Sequence, residues 1–104
     1  MRTPRQGDVW WAEAESQRRP VLVVTRSDAI PVLDRIVVAP LTRTVRGIPT
    51  EIPFGPDDGL PVACAATFDN VQPISRRLLT EHVTALDPLR RGEICAALGA
   101  LADC

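Results

Sequence analysis

Lysine is missing from this chain. All 12 basic residues are arginine, a bias that a GC-rich coding sequence explains by itself. The chemical consequence holds whatever the cause: no amine is available as Schiff base, general base or phosphate clamp. Histidine is almost missing too. His82 stands alone, so a mechanism needing two imidazoles cannot be built within one chain. The three cysteines, Cys64, Cys95 and Cys104, show no C-x-x-C spacing and no Cys/His cluster, which argues against a zinc site and against a disulfide framework. They read as buried or incidental thiols in a reducing compartment. No G-x-x-x-x-G-K or G-x-G-x-x-G run occurs, so phosphate-loop and dinucleotide-binding architectures are not expected. No apolar run approaches the roughly 20 residues that cross a bilayer. The opening MRTPRQGD has no apolar stretch of a secretory signal. A cytoplasmic protein is expected, without metal, cofactor or membrane partner.

What is there suits one domain spanning residues 1–104. The chain has 104 residues, 45% hydrophobic and 24% charged, with net charge −1. That is too short for two ordinary cores and apolar enough for one. GDVWWAE (7–13) leaves a turn and enters a strand, with Val9 and Trp11 alternating against Asp8 and Trp10. AESQRR (14–19) reads as a polar connection. PVLVVT (20–25) and RIVVAPL (35–41) read as buried strands, Pro40 marking an edge or bulge. TRTVRGIP (42–49) is a polar loop, TEIPF (50–54) a short edge strand, and GPDDG (55–59) a turn. VACAATF (62–68) is another strand, followed by DNVQPI (69–74). SRRLLT (75–80) suits a helical turn and EHVTAL (81–86) a last strand. Asp87 then caps a helix that opens on Pro88. Ile94, Leu98 and Leu101 make its apolar stripe, while Gly92 and Gly99 weaken it. Five or six short strands and one C-terminal helix predict a mainly β fold: a small antiparallel barrel with a helix laid against it.

Several residues carry chemistry on one reading and none on another. Arg18 and Arg19 are exposed arginines of a hairpin loop, or a guanidinium held at a strand mouth. Pro20 restricts the residue before it, and a planar fork there suits a phosphate. Thr42 is a turn former, or a hydroxyl donor at a sheet rim beside Arg43 and Arg46. Asp69 and Asn70 make a turn, or present an acceptor and an amide to base edges. His82 reads as structural rather than catalytic. Of Trp10 and Trp11, one belongs to the core and the other is partly exposed, available to a dimer surface or a base.

GDVWW (7–11), RRPVLVVT (18–25), VVAPLT (37–42), FDNVQPI (68–74) and the helix after LDP (86–88), taken in order, resemble the MazF/PemK toxins of toxin–antitoxin pairs. The resemblance spans nearly the whole chain. It implies an SH3-like barrel with a C-terminal helix, a homodimer, and a metal-independent endoribonuclease that cuts RNA at short sequences. It also implies a cognate MazE-like antitoxin. The family's active-site Arg before Pro-Val falls on Arg19 and its strand-end Thr on Thr42. Its acidic–amide pair linked with RNA contacts falls on Asp69 and Asn70. Arg18, Arg43 and Arg46 are the further RNA-binding candidates. The loop before Arg-Pro is shorter than in relatives, and its acidic residue has no clear equivalent, Glu15 being a stand-in. RNA carries its own nucleophile in the 2′-OH, so positioning and charge stabilisation suffice. Arg19 then stabilises charge and assists protonation of the leaving 5′-oxygen, and Thr42 donates to a non-bridging oxygen. Water or an unidentified group is the base. Two other functions fit the same barrel: a CcdB-like poison of DNA gyrase, and a non-catalytic SH3-like binding module.

Overall fold

The computed structural model describes residues 2–14 and 17–102. Its sheet has seven strands: β1 (Asp8–Ala14), β2 (Gln17–Val23), β3 (Arg35–Thr42), β4 (Glu51–Phe54), β5 (Cys64–Thr67), β6 (Gln72–Ser75) and β7 (Leu79–Ala85). One helix, α1 (Gly92–Ala102), follows. The strands run in the order β4-β5-β3-β2-β1-β7, with β6 beside the first half of β3. Every pairing is antiparallel. The result is a curled antiparallel sheet, a half-barrel with its helix on one side.

Both faces of the central strands are buried, which is why PVLVV and RIVVA read as continuous apolar runs. On one face Val9, Leu22, Ala39 and Leu41 join Ile52, Phe54 and Phe68 under Ile94 and Ala97 of α1. On the other, Trp10, Ala12, Val21, Val23, Ile36 and Val38 close over Ile30 and Leu79. Trp10 is thus the core tryptophan and Trp11 the partly exposed one, as expected. Asp8 and Trp10 are both buried, so β1 has no solvent face at its start. The Trp10 indole N–H donates to Asp8 Oδ2 (3.2 Å), which removes the cost of the buried pair.

Four expectations need correcting. Gln17, Arg18 and Arg19 lie inside β2, not in a loop: their polarity reflects a strand end that projects into solvent. β6 is a strand that polar, Pro-containing QPIS does not announce, and it exists because β3 offers a free edge. Asp87 does cap, its Oδ1 accepting from Leu89 N–H (2.9 Å), but it caps a 3-10 turn over Pro88–Arg90, and the α-helix starts only at Gly92. The apolar stripe is half used. Ile94 and Ala97 are buried, while Leu98 is 36% and Leu101 40% exposed, because only the first half of α1 reaches β4 and the 68–70 turn.

Arg90 ties that helix to the sheet. Its guanidinium donates to Glu93 (2.7 and 3.0 Å), to Asp58 Oδ1 (3.0 Å) and to the Pro53 carbonyl (2.7 Å). The GPDDG turn therefore closes against α1. Gly59 is required there: it has φ +90°, and a Cβ would stand 2.8 Å from Thr84 Oγ1.

Candidate active site

Two prolines shape the rim where β2 leaves β3. The bonded register runs Val23↔Val38, Leu22↔Ala39, Val21↔Pro40 and stops. Pro40 has no N–H, and neither has Pro20, the next residue of β2, so the ladder cannot continue cleanly. The β1–β2 ladder does continue, through Trp11↔Pro20 and Ala12↔Arg19. On its other side β3 turns to β5, with Thr42 opposite Ala65. β3 is therefore shared between two halves of the sheet, and they part just beyond Pro40.

Arg19 and Thr42 stand at that fork. Arg19 and Thr42 each lie two residues past the last bonded pair, Val21↔Pro40, on the two strands that part there. By the period of two along each strand, Arg19 continues the face of Val21 and Val23, and Thr42 the face of Ile36 and Val38. Arg19 is exposed, and its side chain makes no ion pair among the described residues. Thr42 is half-buried, and its Oγ1 accepts from Thr44 N–H (3.1 Å). With that lone pair used, the hydroxyl proton stays free to donate outward. A planar cation and a hydroxyl donor thus lie on the same side of two strand ends that leave a common pairing, a combination that suits a phosphate group.

Arg18, one residue away, points to the opposite face. Its guanidinium pairs with Glu13, lies 3.5 Å from Glu81 Oε1 and covers the Trp11 ring at 4.5 Å. Glu13 also accepts from Thr80 Oγ1 (3.2 Å). The structure does not bring Arg18 to Arg19 and Thr42: two carboxylates and an aromatic face already hold it. Glu15 lies outside the described residues.

The loop after Thr42 is built on a buried carboxylate that no periodicity signals. Glu51 Oε1 accepts from Arg46 N–H (2.9 Å) and Gly47 N–H (3.0 Å). Gly47, with φ +67°, makes the bend. The other oxygen, Oε2, has no hydrogen-bond partner among the described residues, and Arg46 Nη1 stands 4.0 Å from it. Arg46 is thus loosely tethered, whereas Arg43 makes no ion pair among the described residues. Both follow Thr42 on this one loop.

Asp69 and Asn70 occupy a 3-10 turn that packs against β3 and α1. Asp69 Oδ2 accepts from Thr50 Oγ1 (2.7 Å), fastening the turn to the approach of β4. Asn70 is exposed. No described contact links either residue to Arg19 or Thr42. His82 is structural: its ring meets Trp10 edge-on at 5.6 Å and Nε2 lies 3.6 Å from Asp8 Oδ1. Cys64 is buried and Cys95 exposed, both free thiols, and Cys104 lies outside the described residues. Burial pushes the Cys64 thiol above its ordinary value, Asp58 adding to this and Arg43 opposing it, so it is a poor nucleophile. No described group of His, Cys, Asp and Glu is arranged to hold a metal. No helix among the described residues is long and apolar enough to cross a membrane.

Comparison with known proteins covers the same ground. A family model described as PemK-like, MazF-like toxin of type II toxin-antitoxin system matches residues 5–102. A probable endoribonuclease MazF5 of Mycobacterium tuberculosis is 42% identical over 103 residues, covering 97% of this chain and 94% of the relative. Among solved structures, the Mycobacterium tuberculosis toxin MazF-mt6 superposes with TM-score 0.85 at 32% identity, covering 92% of this chain and 96% of that one. A mycobacterial endoribonuclease in complex with its cognate antitoxin gives TM-score 0.83 at 25% identity, covering 96% and 95%.

Proposed function

Because the chain belongs to the PemK-like, MazF-like toxins of type II toxin–antitoxin systems, we propose that the Arg19–Thr42 fork is the active site of a sequence-specific endoribonuclease. Residues 1–104 act as one domain. The observation that supports this most is that both residues continue the same face of β2 and β3 just past their last bonded pair, Val21↔Pro40.

The substrate is single-stranded RNA. The 2′-oxygen attacks the adjacent phosphorus while its proton passes to water, and the bond to the 5′-oxygen breaks. Arg19 donates to the non-bridging oxygens as negative charge builds and favours protonation of the leaving oxygen. A guanidinium stays protonated at neutral pH and so is no base there. Thr42 gives its free O–H to a second oxygen. Products are a 2′,3′-cyclic phosphate and a 5′-hydroxyl. Preorganised donors of this kind are worth on the order of 3–4 kcal/mol each in the transition state. Arg43 and Arg46 line the approach, and Asp69 and Asn70 contact RNA beyond the scissile bond.

The protein works in the cytoplasm as a homodimer, inhibiting translation until a MazE-like antitoxin binds. An acidic antitoxin tail would compete with RNA for the arginine-bearing rim. The first test is cleavage of a long unstructured RNA in EDTA, read by primer extension. Wild type is expected to cut at one short motif, and Arg19→Ala to lose roughly 100- to 1,000-fold in rate. Cuts leaving 5′-phosphate ends, or none without magnesium, would overturn the mechanism.

A further inference from the structure

The loop that leaves Thr42 folds back over the sheet and closes a pocket of about 230 Å³, lined by Val45, Gly47, Ile48, Glu51, Pro53 and Ala65. Buried Ala65 and Glu51 lie at its bottom, and exposed Val45, Ile48 and Pro53 at its rim. One polar atom at the bottom is left over. Glu51 Oε1 already accepts from two loop N–H groups, whereas Oε2 has no hydrogen-bond partner among the described residues and is closed to water. The Glu51 side chain is only 3% exposed, and Arg46 Nη1, at 4.0 Å, is too far for a hydrogen bond. A carboxylate oxygen without a donor, among apolar side chains, is costly. An N–H or O–H brought by a ligand would relieve that cost.

Bonded pairs fix where this pocket stands relative to Thr42. Thr42 pairs with Ala65, and Ala65 with Pro53. Opposed residues of an antiparallel pair share a face, and Glu51, two residues before Pro53, shares it too. The alternate residues Leu41, Ile52 and Ala66 face the helix-side core instead. The pocket therefore lies on the Thr42 side of the sheet. Neighbouring strands are about 4.8 Å apart, which puts its floor at Ala65 one strand away from Thr42. Its volume is below the roughly 300–1,000 Å³ of drug-sized sites, and suits one planar ring. Single-stranded RNA offers such rings, splayed out and read at their edges. The apolar rim suits the ring faces, and Oε2 suits a donor on the edge. Adenine N6 and cytosine N4 are amine donors, whereas uracil presents a carbonyl oxygen there, which a carboxylate repels.

We infer that the pocket between the 43–49 loop and the β4–β5 edge reads a base next to the cut phosphate, and that Glu51 Oε2 selects adenine or cytosine there by accepting from the exocyclic amine. This rests on the nuclease reading above and adds a specificity-determining residue to it. The base reaches Oε2 as the Arg46 side chain, 61% exposed, swings outward. Glu51 then has two separate tasks: Oε1 holds the loop and Oε2 reads the base. Glu51→Gln separates them. The two loop amides still require an acceptor, so the side-chain carbonyl takes the Oε1 place and the amide nitrogen takes that of Oε2. The pocket then offers a donor where it offered an acceptor.

The test is cleavage, in EDTA, of an RNA library carrying a randomised segment, with the cut sites read by primer extension. Wild type is expected to require adenine or cytosine at the nucleotide on one side of the cut. Glu51→Gln should shift that position toward uracil or guanine, whose edges present a carbonyl, by about tenfold, and leave the rest of the motif alone. A second measurement needs no variant. A substrate with purine riboside for adenosine, or zebularine for cytidine, lacks only the amine, and wild type should cut it about tenfold more slowly. Uracil, guanine or no preference on both sides of the wild-type cut overturns the pocket. So does an unchanged motif in a folded Glu51→Gln, or full-rate cutting of the amine-free substrate. These results leave the nuclease standing, whereas no cutting of any RNA by wild type overturns the nuclease reading and the pocket with it.

Discussion

Thr42 and Glu51 show how little of a side chain's role lies in its own identity. In the proposed site Thr42 acts as a donor because Thr44 N–H occupies one lone pair and leaves the proton free. Thr42→Val keeps the shape and removes the donor, so cleavage should slow about 100-fold or more, while Thr42→Ser retains most of the rate. The check is single-turnover cleavage beside a melting curve that moves little. Glu51 was invisible as a functional residue: a lone glutamate in TEIPF carries no motif. In the fold it is a buried acceptor for two loop amides, and it sets the segment carrying Arg43 and Arg46. Glu51→Ala should cost about 1–3 kcal/mol and speed exchange of the Arg46 and Gly47 amide protons. Unchanged protection there would show that the loop holds itself.

At the scale of elements, the C-terminal helix is held by Arg90 as well as by its apolar stripe. It buries only Ile94 and Ala97, which pack with Ile52 and Phe54 of β4, and Arg90 adds the link to the 56–58 turn and a second one to β4. Arg90→Ala should lower stability by about 1–3 kcal/mol, mostly through lost hydrogen bonds. Part of that loss depends on pH. The hydrogen bond from Arg90 holds the Glu93 carboxyl below its ordinary 4.5. Its contribution is complete above that value and disappears as pH falls through the lower folded value. Glu93 is about 40% exposed, so this part is under about 1 kcal/mol. Denaturant melts should therefore show the gap between wild type and variant widest at neutral pH and narrowing in acid. The elements themselves were legible where sequence and burial agree. PVLVV and RIVVA are apolar on both faces, so their strands showed plainly, and TEIPF sits at the edge as its proline suggests. Gln17–Arg19 and Gln72–Ser75 did not show, because an exposed strand end and an exposed edge have the composition of loops.

For the whole molecule, the small net charge hides a separation that matters for partners. Asp8, Glu13, Glu51, Asp58, Glu81 and Glu93 all meet a cation or a donor inside the fold. Arg2, Arg5, Arg19, Arg43 and Arg77 meet none among the described residues, and of the acids Asp34 and Asp57 likewise meet none. The uncommitted charge among the described residues is mainly positive, and it can attract a polyanion although the chain as a whole is slightly acidic. Sedimentation at micromolar concentration should give about twice the monomer mass, as the homodimer proposal requires, and a monomer that still cuts RNA would refute it.

The sequence by itself determined the chemical inventory: arginine as the sole strong cation, one histidine, no metal-ligand spacing, and Arg-Pro and strand-end Thr segments that resemble a toxin family. It also determined the mainly β fold with its closing helix, because alternation and turn residues act locally. Only the tertiary structure decided which arginines are free. Arg18 and Arg19 are neighbours in sequence with identical side chains, yet a strand's period of two sends them to opposite faces. One meets Glu13 and Trp11, and the other meets the fork. Likewise Arg19 and Thr42 come to lie past the end of one ladder because it stops at Val21↔Pro40. Register is a property of pairing between distant segments, and no residue states its own.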